Sequence, residues 1–187
     1  MKLRIVSGSL KGRTIHGPDK DLSFRPTLER TRQSIADMIT PRCAAGALAA
    51  DLCAGSGAFG FEMLSRGARR VDFVENDRNR AALIREHAEK FGVLDQCRIT
   101  AKDVAAFLQS TREKYDIVFF DPPYDASHLN GLVPGLMKLV APGGVLLYQR
   151  RRPSVGGSGK RAENEQPSDI KTFGDTIVEI YKQPREE

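Results

Sequence analysis

Two short stretches of this 187-residue chain combine residue types and spacings that could do chemistry. One is Asp121-Pro122-Pro123-Tyr124, directly behind the apolar run 117–120. An exocyclic amine on a nucleobase is a poor nucleophile, because its lone pair is delocalised into the ring. Two acceptors that take both of its N–H groups draw the nitrogen toward tetrahedral geometry and aim the lone pair. The Asp121 carboxylate and the Pro122 carbonyl can be those acceptors, and the prolines fix their own φ and remove competing N–H donors. Tyr124 offers a face on which a flipped base can stack. The plain alternative, a proline-rich turn, fits poorly at a strand end several elements after a glycine loop.

The other stretch is Asp51-Leu-Cys-Ala54-Gly55-Ser56-Gly57-Ala-Phe-Gly60, between an apolar run and an amphipathic one. Glycines at 55, 57 and 60 let the backbone turn sharply and approach a ligand without a Cβ in the way. The pattern G-x-G-x-x-G is weak alone, since it also matches the dinucleotide fingerprint. Glu75, twenty residues after Gly55, stands where an acid binds ribose hydroxyls, which suits NAD and S-adenosyl-L-methionine equally. Two residues favour the methyl donor. Asp51 would repel a pyrophosphate and hold an ammonium, and Asp103 can reach an adenine amine. Each has a plainer reading, Asp51 as a loop cap and Asp103 as a helix N-cap. Asp77 reads as an N-cap rather than a ligand. The cofactor set is then Asp51, Ala54, Gly55, Ser56, Gly57, Gly60, Glu75, Asn76, Asp103 and Val104.

Short apolar runs at 48–53, 71–75, 98–101, 117–120 and 145–148 predict parallel strands buried on both faces. Helical spacing recurs near 58–66, 78–91, 103–110 and 128–140. This alternation predicts an α/β fold with a doubly wound sheet and its ligands at the carboxyl ends of the strands. Runs at 170–173 and 176–182 flank Gly174-Asp175 and predict a closing antiparallel pair, making seven strands. Ahead of the sheet, 3–8 and 12–16 predict a small hairpin, and a helix follows Pro26 with Thr27 as N-cap and Pro41 as its end. The chain divides into an N-terminal extension, 1–42, and a cofactor-binding domain, 43–187. Residues 153–168, rich in Gly, Ser and charge, predict a long loop.

Hydrophobic residues make up 40% of the chain and charged residues 28%, a globular balance. No apolar run is long enough to span a bilayer, and no secretory core follows Lys2 and Arg4, so the expectation is a cytoplasmic protein. Cys43, Cys53 and Cys97 lack metal-ligand spacing and read as small buried side chains. His16, His87 and His128 read as surface or loop residues, so no metal is expected. Residues 1–42 hold nine Lys or Arg against four acids, which accounts for the whole net charge of +5. Such an arm suits a polyanionic partner or is simply a solvated basic face.

On these motifs the sequence resembles the bacterial 16S rRNA (guanine-N2)-methyltransferase family. The likeness lies in Arg4-Ile-Val-Ser-Gly8…Lys11-Gly12-Arg13, Arg25-Pro26-Thr27…Arg30-Thr31-Arg32, Asp51–Gly60 with Leu64-Ser-Arg-Gly67-Ala68, Asp121–Tyr124 and Phe173-Gly-Asp-Thr176. The resemblance implies a Rossmann-like class I methyltransferase sheet, mostly parallel with an antiparallel last strand, and S-adenosyl-L-methionine as cofactor. It also implies Asp121, Pro122, Pro123 and Tyr124 as the catalytic set. RNA contact would fall to Arg4, Lys11, Arg13, Arg25, Arg30 and Arg32, some of them lining the cofactor mouth instead. The partner implied is 16S rRNA or the small ribosomal subunit; nothing in the sequence suggests an obligate interface, so a monomer is expected.

The chain departs from the family at Gln33, where Glu is usual, and at Gln149-Arg150-Arg151-Arg152, where an acid is usual. The triple arginine reads as a phosphate contact or a solvated run. Rival readings are amino-methyl transfer to DNA adenine N6 or protein glutamine, a nicotinamide dehydrogenase, and an RNA-binding module without turnover.

Overall fold

The structure, a computed structural model, describes residues 2–17, 26–43, 46–123, 127–152 and 166–185. A two-stranded hairpin, β1 (Lys2–Arg4) and β2 (Thr14–His16), precedes helix α1 (Pro26–Cys43). Then follow β3 (Leu48–Leu52), α2 (Ala58–Ser65), β4 (Arg70–Glu75), α3 (Arg78–Phe91), β5 (Cys97–Ala101), α4 (Val104–Ser110) and β6 (Tyr115–Phe120). Helix α5 (Val133–Met137), β7 (Val140–Arg151), β8 (Asp169–Phe173) and β9 (Thr176–Lys182) complete the order. The seven strands lie side by side as β5-β4-β3-β6-β7-β9-β8. Strands β3 to β7 pair in parallel, and β9 runs antiparallel to both β7 and β8. This is the doubly wound sheet that the alternation predicts, with its antiparallel last strand.

Side-chain alternation divides the core into two layers. Ala49, Phe73, Ile117, Phe119 and Leu147 point to the face covered by α1, α2 and α3. Leu48, Leu52, Val118, Phe120 and Tyr148 point to the face that Val104, Phe107, Val133 and Leu136 of α4 and α5 cover. Helix α3 shows why its sequence folds there: Ala81, Ile84, Ala88 and Phe91 make one buried stripe at helical spacing. Asp77 accepts from the Asn79 and Arg80 amides at its start, and Gly92 ends it at φ 72°.

Several expectations are corrected. Strand β5 is a sheet edge whose residues are half-buried or exposed, so only the inner strands are buried on both faces. The predicted helix at 128–140 is a 3-10 turn (Ser127–Leu132) followed by the short α5, because Gly131, Pro134 and Gly135 oppose a continuous helix. Pro26 opens α1 ahead of Thr27, and Pro41 lies within its last turn, where a missing N–H breaks one ladder bond without stopping the chain. His87 is buried: its position on α3 adjoins the apolar stripe, and Nε2 accepts from the His16 amide at 3.0 Å. Cys53 and Cys97 are half-buried and free. The side chains of Cys43 and His128, and most of the 153–168 loop, lie outside the described residues.

Candidate active site

Four neighbouring strands each bring a carboxylate to their carboxyl end. In the order of the sheet these are Asp103 just past β5, Glu75 ending β4, Asp51 in β3 and Asp121 just past β6. Strand β3 is where the sheet order reverses, β4 on one side and β6 on the other, so the cluster sits at a topological switch point.

The loop after β3 is held open by these acids. Asp51 is 2% exposed, and its Oδ2 accepts from the Gly60 amide at 2.9 Å. Glu75 accepts from the Gly55 amide at 2.7 Å through Oε2 and from the Asp77 amide at 3.0 Å through Oε1. The Gly57 amide donates to the Ala54 carbonyl at 2.7 Å. Cys53, Gly55 and Gly57 all adopt left-handed φ, 60°, 56° and 74°. Cys53 is the one non-glycine residue with positive φ among those described, a conformation costing ~1–2 kcal/mol. Nothing in its sequence context marks it; the strain belongs to the turn that places Ala54 and Gly55. Gly60 is needed for packing, since a Cβ there would fall 2.2 Å from the Phe73 ring.

The Asp103 side chain accepts from the Ala105 amide at 2.7 Å, so the N-cap reading holds for it, with Val104 buried behind. Ser56 is buried and Asn76 exposed. Asp121 keeps some exposed surface, while its own amide donates to the Leu52 carbonyl at 3.3 Å. Pro122 is buried and Pro123 exposed; Tyr124 lies outside the described residues.

Burial dominates the electrostatics. It pushes Asp51 up to about 8; the Gly60 amide opposes this, Asp121 and Glu75 add to it, and Arg32 opposes it. Asp121 is pushed up to about 7 by burial, against a hydrogen bond from Gln149. Cys53 is raised by burial and by the surrounding acids, so it is a neutral thiol and no nucleophile. Acids with raised values cost folding stability as pH rises from about 4 toward 8, and a cation seated among them would offset that.

A cluster of carboxyls suits S-adenosylmethionine, with its ammonium and sulfonium, and not a dinucleotide. The amides of Gly55, Gly57 and Gly60, which a pyrophosphate would need, are already engaged by Glu75, Ala54 and Asp51. No group of side chains among the described residues could hold a metal ion, and no described helix is long and apolar enough to cross a membrane.

The basic arm divides. Arg4, Lys11 and Arg13 are exposed on the hairpin. Arg32 is only 7% exposed; it donates to the Arg4 carbonyl at 3.0 Å and acts on Asp51, so it faces the cofactor loop. Arg25 and the Arg30 side chain lie outside the described residues. Of the triple arginine, Arg150 is an internal partner, 2.6 Å from buried Glu179, and Arg151 and Arg152 are exposed. Sequence reasoning missed Gln149 as a neighbour of Asp121, because that contact depends on the register between β6 and β7.

The sheet order, the switch-point acids and the Asp-Pro-Pro turn together define the class I methyltransferase fold. Residues 3–182 match the family model described as conserved hypothetical protein 95, and the chain belongs to that family. It is 28% identical to a candidate rRNA methyltransferase of Bacillus subtilis, over 96% of this chain and 98% of that one. It is 32% identical to ribosomal RNA small subunit methyltransferase D of Escherichia coli over 125 residues, 66% of this chain and 61% of that protein. A solved candidate methyltransferase of Escherichia coli superposes with a TM-score of 0.83 at 23% identity, covering 100% of both chains. Two more distant neighbours of the same fold, at TM-scores of 0.64 and 0.61, are solved with S-adenosylhomocysteine.

Proposed function

We propose that this chain transfers a methyl group from S-adenosyl-L-methionine to the exocyclic N2 amine of a guanine in 16S rRNA, free or within an assembling small subunit. The observation that carries the reading is Asp121-Pro122 at the end of β6, beside the acid-lined loop of β3 and β4. The rRNA methyltransferase names of its relatives support the substrate class, and one of them supports the small subunit.

The cofactor supplies a methyl group on a sulfonium, already activated for displacement. What remains for the protein is positioning and local charge. Asp51 and Glu75 would hold the ammonium and ribose ends, with Asp103 and Val104 at the adenine. Asp121 and the Pro122 carbonyl would accept the two amine N–H groups, and the ionised Asp121 would take up the proton the amine loses. Exposed Arg4, Lys11 and Arg13 would meet phosphates, and the same role is proposed for Arg25 and Arg30. The protein works as a cytoplasmic monomer on this reading.

Methyl transfer from labelled cofactor to small subunits, naked 16S rRNA and duplex DNA, followed by nucleoside analysis, is the direct test. N2-methylguanosine from a ribosomal acceptor supports the reading, while N6-methyladenine in DNA, or no labelled nucleic acid, sinks it. For the arm, Lys11→Ala with Arg13→Ala should weaken RNA binding and reduce the magnitude of its log–log salt slope by about 1.5. An unchanged slope would remove the hairpin from the RNA contact.

Cofactor binding should also be proton-linked. With Asp51 near 8, a cation that requires its ionised form must displace a proton, so affinity rises from pH 6 toward pH 8. Calorimetry at pH 7 in buffers of different ionisation enthalpy should show release of about one proton, most of it lost in Asp51→Asn. Proton uptake, or no exchange in the wild type, would contradict the assignment of Asp51.

A further inference from the structure

We propose that Gln149 is a positioning residue for the acceptor carboxylate, its buried side-chain amide holding Asp121 so that one oxygen stays aimed at the incoming amine. The proposal rests on the amino-methyltransferase reading of Asp121, and it goes beyond that reading by assigning a role to a residue of a different strand.

The geometry follows from sheet register. Strands β6 and β7 run parallel with Phe120 opposite Tyr148, so the next residues along, Asp121 and Gln149, emerge side by side. Gln149 is 3% exposed, and its side chain lies beside the Asp121 carboxylate, whose ionised form it favours. It is held there from the other side by β9, where Gln149 lies opposite Val178. A buried polar side chain costs stability unless its partners are present, so an amide here needs the carboxylate, as the carboxylate needs an orienting donor. The neighbouring cation is engaged elsewhere, since Arg150 donates through Nε and Nη2 to Glu179, at 2.8 and 2.6 Å. Among the described residues, the other titratable groups at this end of the sheet are Asp51, Cys53 and Glu75, with Arg32 of α1 acting on Asp51. Burial resists ionisation of Asp121, and the Gln149 side chain favours the ionised form.

Two variants test this, Gln149→Leu, which keeps the bulk and removes the donor, and Gln149→Glu, which keeps the shape and adds a second carboxyl. The first readout is independent of turnover: a 13C-carboxyl NMR titration of Asp121 in the ligand-free protein, assigned with Asp121→Asn. In Gln149→Leu its midpoint should move from near 7 to higher pH by about one unit. Gln149→Glu should move it further and split it into two coupled steps. The second readout is the pH profile of kcat/KM on the rRNA acceptor. Gln149→Leu should lose about fivefold at pH 7 and recover toward wild type at pH 9, with cofactor affinity within about threefold. A midpoint that stays in place in both variants overturns the proposal, as does a loss of kcat/KM equal at every pH. If the wild type methylates no acceptor, the functional reading has failed, and the NMR titration still decides the contact. If Gln149→Leu does not fold, the shape-keeping Gln149→Glu decides it by the same titration.

Discussion

Asp121→Ala should lower methyl transfer by about 10³-fold and leave cofactor affinity within about threefold. The expected loss is large because the carboxylate accepts from the amine at the moment its lone pair leaves the ring, and neither proline side chain can do so. Pro122 offers a carbonyl and Pro123 has no donor or acceptor side chain. The small effect on the cofactor follows from two opposed consequences. Removing Asp121 deletes a negative charge near a cationic ligand, which weakens binding. It also removes one of the charges that hold Asp51 protonated, which strengthens it. Rapid-quench turnover together with calorimetric cofactor titration separates the two. Equal losses in both would mean that Asp121 is a cofactor ligand and that the acceptor lies elsewhere. Because Asp121 sits near 7, wild-type kcat/KM should rise with pH through that value, and the rise should vanish in Asp121→Asn.

Local chemistry made most of this site legible in the sequence. The glycine loop, Glu75, Asp103 and the Asp-Pro-Pro turn each follow an apolar run, so their place at strand ends could be read without coordinates. Residues 48–52 and 117–120 contain little but apolar or buried side chains, as central parallel strands must. What escaped depends on register or on distant packing. Strand β7 extends to Arg151 because β9 lies alongside it as far as Thr176, which no run of residues near 148 reveals. Arg150 reads as part of a solvated triplet, and its partner Glu179 is 29 positions away. Arg32 reads like the exposed cations of the hairpin, yet it is buried and acts on Asp51. His87 reads as a surface residue, although 84, 88 and 91 already trace the buried stripe beside it. In each case the residue type is legible and its direction is not.

Gly8→Ala should destabilise the protein by about 3 kcal/mol or more, whereas Gly12→Ala should cost only ~1–2 kcal/mol. Both glycines sit in the hairpin with left-handed φ, 80° and 84°, so the intrinsic backbone penalty is the same. They differ in what a methyl group would meet. At Gly12 there is open space, and at Gly8 the new carbon would lie 1.7 Å from the Ser65 carbonyl oxygen. Backbone cannot step aside there, because Ser65 ends α2 and that carbonyl already accepts from the Ser9 amide at 2.8 Å. The hairpin would have to lift instead. Lifting it breaks the bonds from the Leu10 amide to Ser65 Oγ at 2.9 Å, from the Val6 amide to Glu62 at 3.1 Å, and from Ser65 Oγ to the Ser7 carbonyl. It also exposes Leu3, Ile5, Leu10 and Ile15, which share the core of α2 and the sheet. Thermal melts of the two variants decide the matter, and equal losses would show that close approach to α2 is not what Gly8 provides. Lys11 and Arg13 ride on the same hairpin, so Gly8→Ala should also weaken RNA binding at temperatures where the sheet is still folded. Helix α2 begins at the glycine loop and ends at Ser65, which makes one short helix the physical link between the basic arm and the cofactor pocket.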